Sequence, residues 1–160
     1  MENILTVKNS QVTMTQLVLP NDTNQLGNLA GGVLMNWIDL AAAIAASRHT
    51  QRVCVTASVD ELNFLHPIKQ GEVVMLYASV NRVFKTSMEI GVKVFAENPL
   101  QGTTRHANSA YLTFVAIDGN NKGIISPPIH PETEEEKRRY EQAAIRREAR
   151  LARRKLFTQS

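Results

Sequence analysis

One carboxylate lies inside a long apolar segment near the N-terminus and is the first candidate for chemistry. Asp39 falls within residues 33–46, where Asn36 is the only other polar residue. Burying an unpaired carboxylate costs several kcal/mol, so such a residue is either hydrogen-bonded in a core network or part of a functional site. Because burial strengthens a carboxylate as a proton acceptor, Asp39 is a candidate general base.

Glycines precede this segment, at the position where a helix would begin. Gly27 is followed by the pair Gly31 and Gly32. The first backbone N–H groups of a helix have no partners within it, the helix dipole favours negative charge there, and glycine lets a ligand come close. Gly31 and Gly32 are therefore candidates to hold a phosphate, or the oxyanion of a thioester under attack. Their spacing matches neither the G-x-G-x-x-G dinucleotide fingerprint nor a P-loop.

The residues around Asp39 predict a long helix, because Ala, Leu and Met are strong helix formers and no Gly or Pro interrupts them. The segment is apolar nearly all round, which predicts a helix that is buried and wrapped by other structure. Apolar and polar residues alternate in five further segments, which predicts strands over residues 10–19, 53–60, 73–84, 87–97 and 106–118. We therefore predict an α+β fold in which an antiparallel sheet wraps around one long buried helix.

The C-terminal part of the chain has a different character. Prolines at 127, 128 and 131 precede Thr133 and Glu136, which fit a capping box at the start of a helix over residues 134–155. This helix is basic towards its end and has few apolar positions, so we expect it on the outside or against another subunit. We predict one domain over residues 8–123, followed over residues 124–160 by a Pro-rich linker and a basic C-terminal helix.

Composition narrows the class of protein. A chain of 160 residues with 43% hydrophobic residues is long enough for one domain with a real core. No apolar run reaches the roughly 18 residues of a membrane helix, and the first residues do not resemble a signal peptide. We therefore expect a cytoplasmic protein with no membrane partner. The single cysteine, Cys54, fits a reducing compartment, and no metal signature is present.

Short motifs occur in one order along residues 10 to 150. The first group surrounds the predicted helix, and the later ones lie on the predicted strands and at the start of the C-terminal helix. They are Asp22-Thr23-Asn24 with Gly27 and Gly31-Gly32, Trp37-Ile38-Asp39, Arg48-His49, Val55-Thr56-Ala57-Ser58-Val59-Asp60, Phe64, Pro67-Ile68, Gly71, Lys85-Thr86-Ser87-Met88-Glu89, Thr113-Phe114-Val115-Ala116 and Thr133-Glu134-Glu135-Glu136. Together they resemble the hotdog-fold acyl-CoA thioester hydrolases, the cytosolic, brain-type group and its small bacterial homologues.

The resemblance implies an enzyme that hydrolyses acyl-CoA to a free acid and coenzyme A. It implies no cofactor, since coenzyme A is part of the substrate. It also implies a homodimer in which two sheets join, and often a homohexamer built as a trimer of dimers. The family's catalytic pair is an Asn in the loop before the helix and an Asp inside the helix, and these fall on Asn24 and Asp39.

Thioester hydrolysis gives these residues specific roles. Asp39 would activate a water as general base, or attack the thioester itself through a mixed anhydride. Asn24 would orient the water or the carbonyl, with a loop cap as its structural alternative. Backbone amides near Gly31 and Gly32 would stabilise the oxyanion. Because Gly32 and Asp39 are about 10.5 Å apart along a helix, we expect each site to combine residues of two subunits related by a two-fold axis.

Coenzyme A also requires a groove for its pantetheine arm and positive charge for its phosphates. We expect the strand that carries Thr56 and Ser58 on one face to offer hydrogen bonds to pantetheine. Exposed arginines and lysines are most often only solubilising, so the phosphate contacts are chosen by position at a strand end or on the C-terminal helix. The candidates are Arg82, Lys85 and Ser87 at the strand end, with Arg147 and Arg150 on the helix.

Three other functions stay open on the residues alone. A hotdog dehydratase needs an Asp–His pair near the helix start, and no His lies between Asn24 and Arg48. A non-catalytic acyl-CoA-binding or regulatory protein would keep the pocket without the base. Nine basic residues against two acidic ones lie within residues 137–155, a pattern that is typical of a solvated helix face and that also allows an acidic, phosphorylated or nucleic-acid partner. No nucleic-acid-binding motif accompanies this cluster, so we expect no nucleic-acid partner.

Overall fold

The structure is a computed structural model that describes residues 4–60 and 62–158. Within these residues, three α-helices and five strands follow one another, with a 3₁₀ turn at Pro20–Asp22. They are α1 (Val7–Ser10), β1 (Val12–Leu17), α2 (Gly31–Thr50), β2 (Cys54–Val59), β3 (Val73–Val83), β4 (Ser87–Asn98), β5 (Thr103–Ala116) and α3 (Glu134–Phe157).

The five strands form one antiparallel sheet in the order β1-β3-β4-β5-β2. Alternate residues of the three central strands are buried on one face, as Leu76, Ile90 and Leu112 show, and α2 packs against the sheet. The predicted arrangement of an antiparallel sheet around one long helix, with a separate C-terminal helix, is confirmed. Strands β1 and β2 are the two edges of the sheet.

The first strand is shorter than predicted, because its expected first residue closes a helix instead. Ser10 is fully buried, and its Oγ donates to the carbonyl of Val7 at 2.7 Å. The same oxygen accepts a hydrogen bond from the backbone N–H of Val80 at 2.9 Å. This residue therefore ends α1 and joins it to β3, and β1 begins two residues later.

Helix α2 begins at the glycine pair and ends where Gln51 takes a left-handed conformation, with φ at 57°. Its buried residues are Leu34, Trp37, Ile38, Ala41, Ala42, Ala45, Ala46 and His49. The predicted buried helix is present, but one side of it is left uncovered in the single chain, where Leu40 is 47% and Ile44 is 40% exposed. The spacing of four residues places both on one stripe of the helix. We call Asn36, Leu40, Ile44 and Ser47, all exposed, the open stripe of α2.

Helix α3 covers the opposite face of the sheet. The predicted capping box is present: the Thr133 hydroxyl accepts from the N–H of Glu136 at 3.1 Å, and the Glu136 carboxylate accepts from the N–H of Thr133 at 3.1 Å. Ala143 is the only buried residue of α3 among those described, so charged contacts rather than an apolar face hold the helix. The domain boundary between residues 123 and 124 stays a prediction. None of the described helices is long and apolar enough to cross a membrane.

Strand β2 contains a bulge that the alternation of its residues does not reveal. Thr56 pairs with Phe114, and Ser58 pairs with the very next residue of β5, Thr113, so Ala57 is the extra residue. Successive residues of a strand point to opposite faces. The expectation that Thr56 and Ser58 share a face is therefore wrong: Thr56 faces α2, together with the buried Phe114, and Ser58 lies on the face covered by α3.

Candidate active site

Asp39 lies on the side of α2 that meets strand β2. The Thr56 hydroxyl donates a hydrogen bond of 2.7 Å to Oδ1 of Asp39. Asp39 is half-buried in the single chain rather than buried as expected, and Thr56 is exposed. Oδ2 of Asp39 has no hydrogen-bond partner within the described part of the chain. One oxygen is thus held in place and the other is available, which suits a group that must accept a proton in a defined direction.

Asn24 sits in a tight loop before α2, and its side-chain oxygen caps that loop. Oδ1 accepts from the backbone N–H groups of Leu26 at 2.9 Å and Asn28 at 3.3 Å. Two N–H donors require an oxygen acceptor, so the amide orientation is determined and Nδ2 points away from the loop. No described residue accepts from Nδ2. Asn24 is therefore a loop cap, which is one of its two predicted roles, and its N–H donor has no acceptor among the described residues.

The start of α2 forms one wall of a cavity beside Asn24. The cavity has a volume of about 340 Å³, and its apolar lining includes Leu29, Leu34 and Phe64. Phe64 lies so close to Gly31 that a Cβ on this glycine would stand 3.5 Å from Cζ of the ring. Helix α2 has no side-chain cap and no acidic residue in its first turn, so its N-terminal amides and positive dipole end are not neutralised by its own residues.

The two predicted catalytic residues do not share this cavity. Asn24 and Gly31 line it, whereas neither Asp39 nor Thr56 is among its described lining residues. The helical rise between Gly32 and Asp39 amounts to about 10.5 Å, and the hydrogen bond to Thr56 turns Asp39 towards β2. One chain therefore presents an oxyanion-type cradle and a carboxylate at two separate places.

The cationic candidates cluster around the tight turn between β3 and β4. The Arg82 guanidinium lies 4.1 Å from the ring centroid of Tyr140 and donates to the Tyr140 carbonyl at 3.2 Å. Arg147 lies 4.8 Å from the ring centroid of Phe84, and Arg82 approaches the same ring at 5.6 Å. Lys85, at the exposed tip, has no ion-pair partner among the described residues. Arg82 is thus already occupied in holding α3, while Lys85 remains available.

Ser87 and the edge strand β2 lie in one row across the sheet. Ser87 pairs with Val115, which pairs in turn with Val55. With adjacent strands about 4.8 Å apart, Ser87 is about 10 Å from Val55, the neighbour of Thr56. The structure therefore brings the hairpin tip and β2 to the same end of the sheet, although Ser58 faces α3.

Two other reactive side chains near α2 are not activated. Burial raises the pKa of the Cys54 thiol, an effect that its hydrogen bond with Thr50 only partly opposes, so Cys54 is not a thiolate nucleophile. Burial lowers the pKa of His49, whose Nε2 lies 2.8 Å from the carbonyl of Pro127. Both groups serve the packing of the end of α2.

Comparison with known proteins decides the family. The model described as "Thioesterase superfamily" matches residues 26–103. A Bacillus subtilis protein named "Uncharacterized acyl-CoA thioester hydrolase YkhA" is 46% identical over 129 residues, which cover 81% of this chain and 75% of that protein. The chain belongs to the thioesterase superfamily, as an acyl-CoA thioester hydrolase. A rat protein named cytosolic acyl coenzyme A thioester hydrolase is 37% identical over 86% of this chain, which spans 36% of that longer protein.

Solved structures of acyl-CoA hydrolases superpose on most of this thioesterase. The acyl-CoA hydrolase of Bacillus cereus superposes with a TM-score of 0.93 at 37% identity, covering 98% of this chain and 96% of that one. The Staphylococcus aureus acyl-CoA hydrolase, solved with butyryl-CoA and coenzyme A, gives 0.91 at 36% identity, covering 98% and 95%. A hexameric acyl-CoA thioesterase gives 0.90 at 40% identity, covering 92% and 95%. The predicted hotdog fold and hydrolase activity are confirmed.

Sequence reasoning missed the connection between Thr56 and Asp39. The sequence predicts Thr56 as a contact of pantetheine, and only the packing of β2 against α2 reveals its hydroxyl on the carboxylate. Phe64 is a motif residue to which the sequence gives no role, and the structure places it over the start of α2. The available signal was the position of a single aromatic residue in a loop, which does not indicate what that residue covers.

Proposed function

We propose that each active site combines Asp39 and Thr56 of one subunit with Asn24 and the start of α2 of a second subunit. One observation carries the proposal: Asp39 lies outside the Asn24 cavity, beside the uncovered open stripe of α2. Pairing two α2 helices antiparallel across a two-fold axis covers both open stripes. It also moves each Asp39 towards the cavity of the other chain.

In the proposed reaction, Asp39 acts as general base. Its available Oδ2 takes a proton from water as the water oxygen attacks the thioester carbonyl. The negative charge on the carbonyl oxygen is stabilised by the amides of Gly31 and Gly32 and by Nδ2 of Asn24. The intermediate collapses with cleavage of the carbon–sulfur bond, and the coenzyme A thiolate receives the proton held by Asp39. Water is the only co-reactant, so no cofactor takes part.

Variants of the Staphylococcus aureus enzyme support this choice of residues. Its structures include alanine variants of an Asn, an Asp and a Thr. The Asn and Asp of that enzyme are 15 residues apart and its Asp and Thr are 17 residues apart. Asn24, Asp39 and Thr56 have the same two spacings in this chain.

The proposed assembly is a homodimer, and three such dimers form a hexamer. Edge strand β2 lacks a neighbour on one side, and its Val53 and Val55 are 67% and 42% exposed. An unpaired apolar edge next to an open helix stripe is suited to a second copy of the same surface. The hexameric thioesterase among the structural neighbours supports the larger assembly. A cytoplasmic location belongs to the same proposal and is supported by the cytosolic rat relative.

The proposal also assigns the coenzyme A end of the substrate to the hairpin tip. Lys85 is the leading phosphate contact, because it is exposed and unpaired among the described residues. Ser87 and Arg147 lie beside it, and the pantetheine arm runs past Thr56 and Ser58 of β2, whose free backbone edge is left to the second copy. Arg82 contributes less, because Tyr140 already occupies its guanidinium.

Complementation between two inactive variants tests the shared site. Asn24→Asp keeps the loop-capping Oδ1 but removes the N–H donor, and Asp39→Asn removes the base at constant shape. When both variants are co-expressed, random pairing makes about half the dimers mixed, and each mixed dimer has one intact site. We expect activity of roughly a quarter of the parental value per protomer, measured by thiol release from acyl-CoA.

The control is each variant expressed alone, and each should be inactive. If one chain supplies both residues to its own site, no site in the mixture is intact. The co-expressed mixture would then be as inactive as its components, which would refute the shared site while leaving the hydrolase activity untouched.

Shortening the substrate tests the assignment of Lys85. We expect Lys85→Ala to raise KM for acyl-CoA by on the order of tenfold, and to leave KM for the matching acyl-pantetheine unchanged. Truncation removes the phosphates and with them the partner of the lysine charge. Lys8→Ala, at an exposed position of α1, is the charge-matched control. An equal rise of KM for both substrates would place Lys85 elsewhere on the ligand.

A further inference from the structure

The loop that follows β2 carries Phe64 and His66 to the cavity, and of its described residues the half-buried Leu62 packs against the hydrophobic core. Residues 63–66 are exposed, and residues 62–66 form none of the hydrogen bonds found among the described residues. Phe64 nevertheless lies over the start of α2, beside Gly31. A segment without hydrogen bonds of its own depends for its position on the two ends at which it is attached, together with the packing of Leu62.

The far attachment is a strong ion pair. Arg105 on β5 donates to both carboxylate oxygens of Glu72, at 2.6 and 2.9 Å, and to the carbonyl of Pro67 at 3.0 Å. The hydrogen bond from Arg105 lowers the pKa of Glu72, so the pair persists in mildly acidic solution. This contact fixes the end of the loop that leads into β3.

The near attachment is Asp60, directly after β2. Its N–H donates to the carbonyl of Tyr111 at 2.9 Å, which continues the pairing with β5. Its Oδ1 accepts from Arg150 of α3 at 3.3 Å, and both side chains are 22% exposed. The near end of the loop is thus fastened to a helix on the other face of the sheet.

Helix α3 is itself held at the turn before Arg150. Arg146 forms two hydrogen bonds to the buried Glu89 of β4, at 2.7 and 3.0 Å, and lies 3.7 Å from the ring centroid of Tyr111. Arg146 and Arg150 are one helical turn apart and therefore project from the same side. Fixing Arg146 on β4 and β5 sets the position from which Arg150 reaches β2.

We propose that Arg150, instead of contacting a phosphate as the sequence suggests, is a positioning residue for acyl-CoA binding, because through Asp60 it fixes the loop that holds Phe64 over the start of α2. The inference rests on the proposed site, in which the cavity beside Asn24 receives the thioester. Helix α3 thereby links the outer face of the sheet to the substrate pocket on the inner face. Releasing the near end lets Phe64 leave the start of α2 and weakens substrate binding.

Kinetics of Arg150→Ala test this role. We expect KM for acyl-CoA to rise by roughly three- to tenfold with kcat nearly unchanged, a coupling of the size usual for residues outside the ligand contacts. A purely structural role would lower the amount of active enzyme, and hence the apparent kcat, without moving KM. Arg150→Lys keeps the single charged contact and should restore most of the affinity. Arg153→Ala, exposed on the same helix, is the control and should leave KM at the parental value.

Two further variants separate this inference from the proposed site. The double variant Asp60→Asn with Arg150→Ala should raise KM no further than Arg150→Ala alone, since both changes break the same contact. Phe64→Ala should raise KM by itself, and Arg150→Ala should add little to it. If Phe64→Ala raises KM but Arg150→Ala does not, Arg150 has no positioning role and the site stands. If Phe64→Ala leaves KM unchanged, the cavity is not the substrate pocket and both conclusions fall.

Discussion

Asp39→Asn is expected to reduce kcat by on the order of 10² or more, the effect of losing a general base. The change keeps the shape of the side chain and an oxygen that can accept from Thr56, so β2 and α2 remain joined. What is lost is the charge that takes a proton from the attacking water. Release of coenzyme A thiol at saturating acyl-CoA measures kcat, and circular dichroism with size-exclusion chromatography checks folding and assembly.

Asp118→Asn is the matched control for this experiment. Asp118 caps an exposed turn through Oδ1, which accepts from the N–H groups of Asn120 and Lys122 at 2.8 and 3.0 Å. The same chemical change there preserves the accepting oxygen and should leave kcat at its parental value. A folded Asp39→Asn enzyme that turns over at the parental rate would show that another group activates the water.

Arg146→Ala is expected to destabilise the protein by about 3–5 kcal/mol, because it leaves the carboxylate of Glu89 buried and without its cation. Glu89 is only 1% exposed, and without Arg146 its remaining side-chain partner is Asn81, at 3.0 Å. Burial opposes the charge of Arg146, but the pair with Glu89 outweighs it and raises the pKa of the guanidinium. Urea unfolding at one fixed protomer concentration measures the loss.

Two variants show whether the buried pair is responsible. Arg138→Ala removes an exposed partner of Glu135, 3.2 Å away on the same helix, and should leave the free energy of unfolding close to the parental value, because water screens exposed ion pairs. Glu89→Gln with Arg146→Met removes both charges and should cost less than Arg146→Ala alone, because no unpaired charge stays buried. If Arg146→Ala costs no more than Arg138→Ala, the pair does not hold α3 on the sheet.

The sequence by itself determined the elements and the family of reactions. Apolar alternation located the strands, and the Ala-rich segment after Gly31 located α2, because both signals follow from the local periodicity of buried positions. The capping box at Thr133 marked the start of α3 to the residue, since a cap is made entirely by neighbours in the chain. Asp39 stood out because a carboxylate in an apolar helix is costly to bury without a function.

Local periodicity predicted the wrong face where a long-range contact determines which side of a strand or helix is buried. The bulge at Ala57 reverses the alternation in β2, so Thr56 and Ser58 face opposite sides of the sheet. Leu40 and Ile44 of the open stripe also look like core in the sequence, because an apolar residue that a second subunit covers is of the same type as one buried in its own chain. The residues of β2 and α2 do not by themselves indicate which surface will cover them.

Only the tertiary structure decided which polar side chains contact each other. The hydroxyl of Thr56 reaches Asp39 across 17 positions of sequence, and Arg150 reaches Asp60 across 90. Such pairs depend on the register of the strands and on where a helix packs on the sheet. Packing over the whole sheet determines both, rather than any short segment. The sequence therefore indicated the candidate base, Asp39. Only the tertiary structure showed that Thr56 orients this base and that α3 contacts the end of the proposed substrate loop.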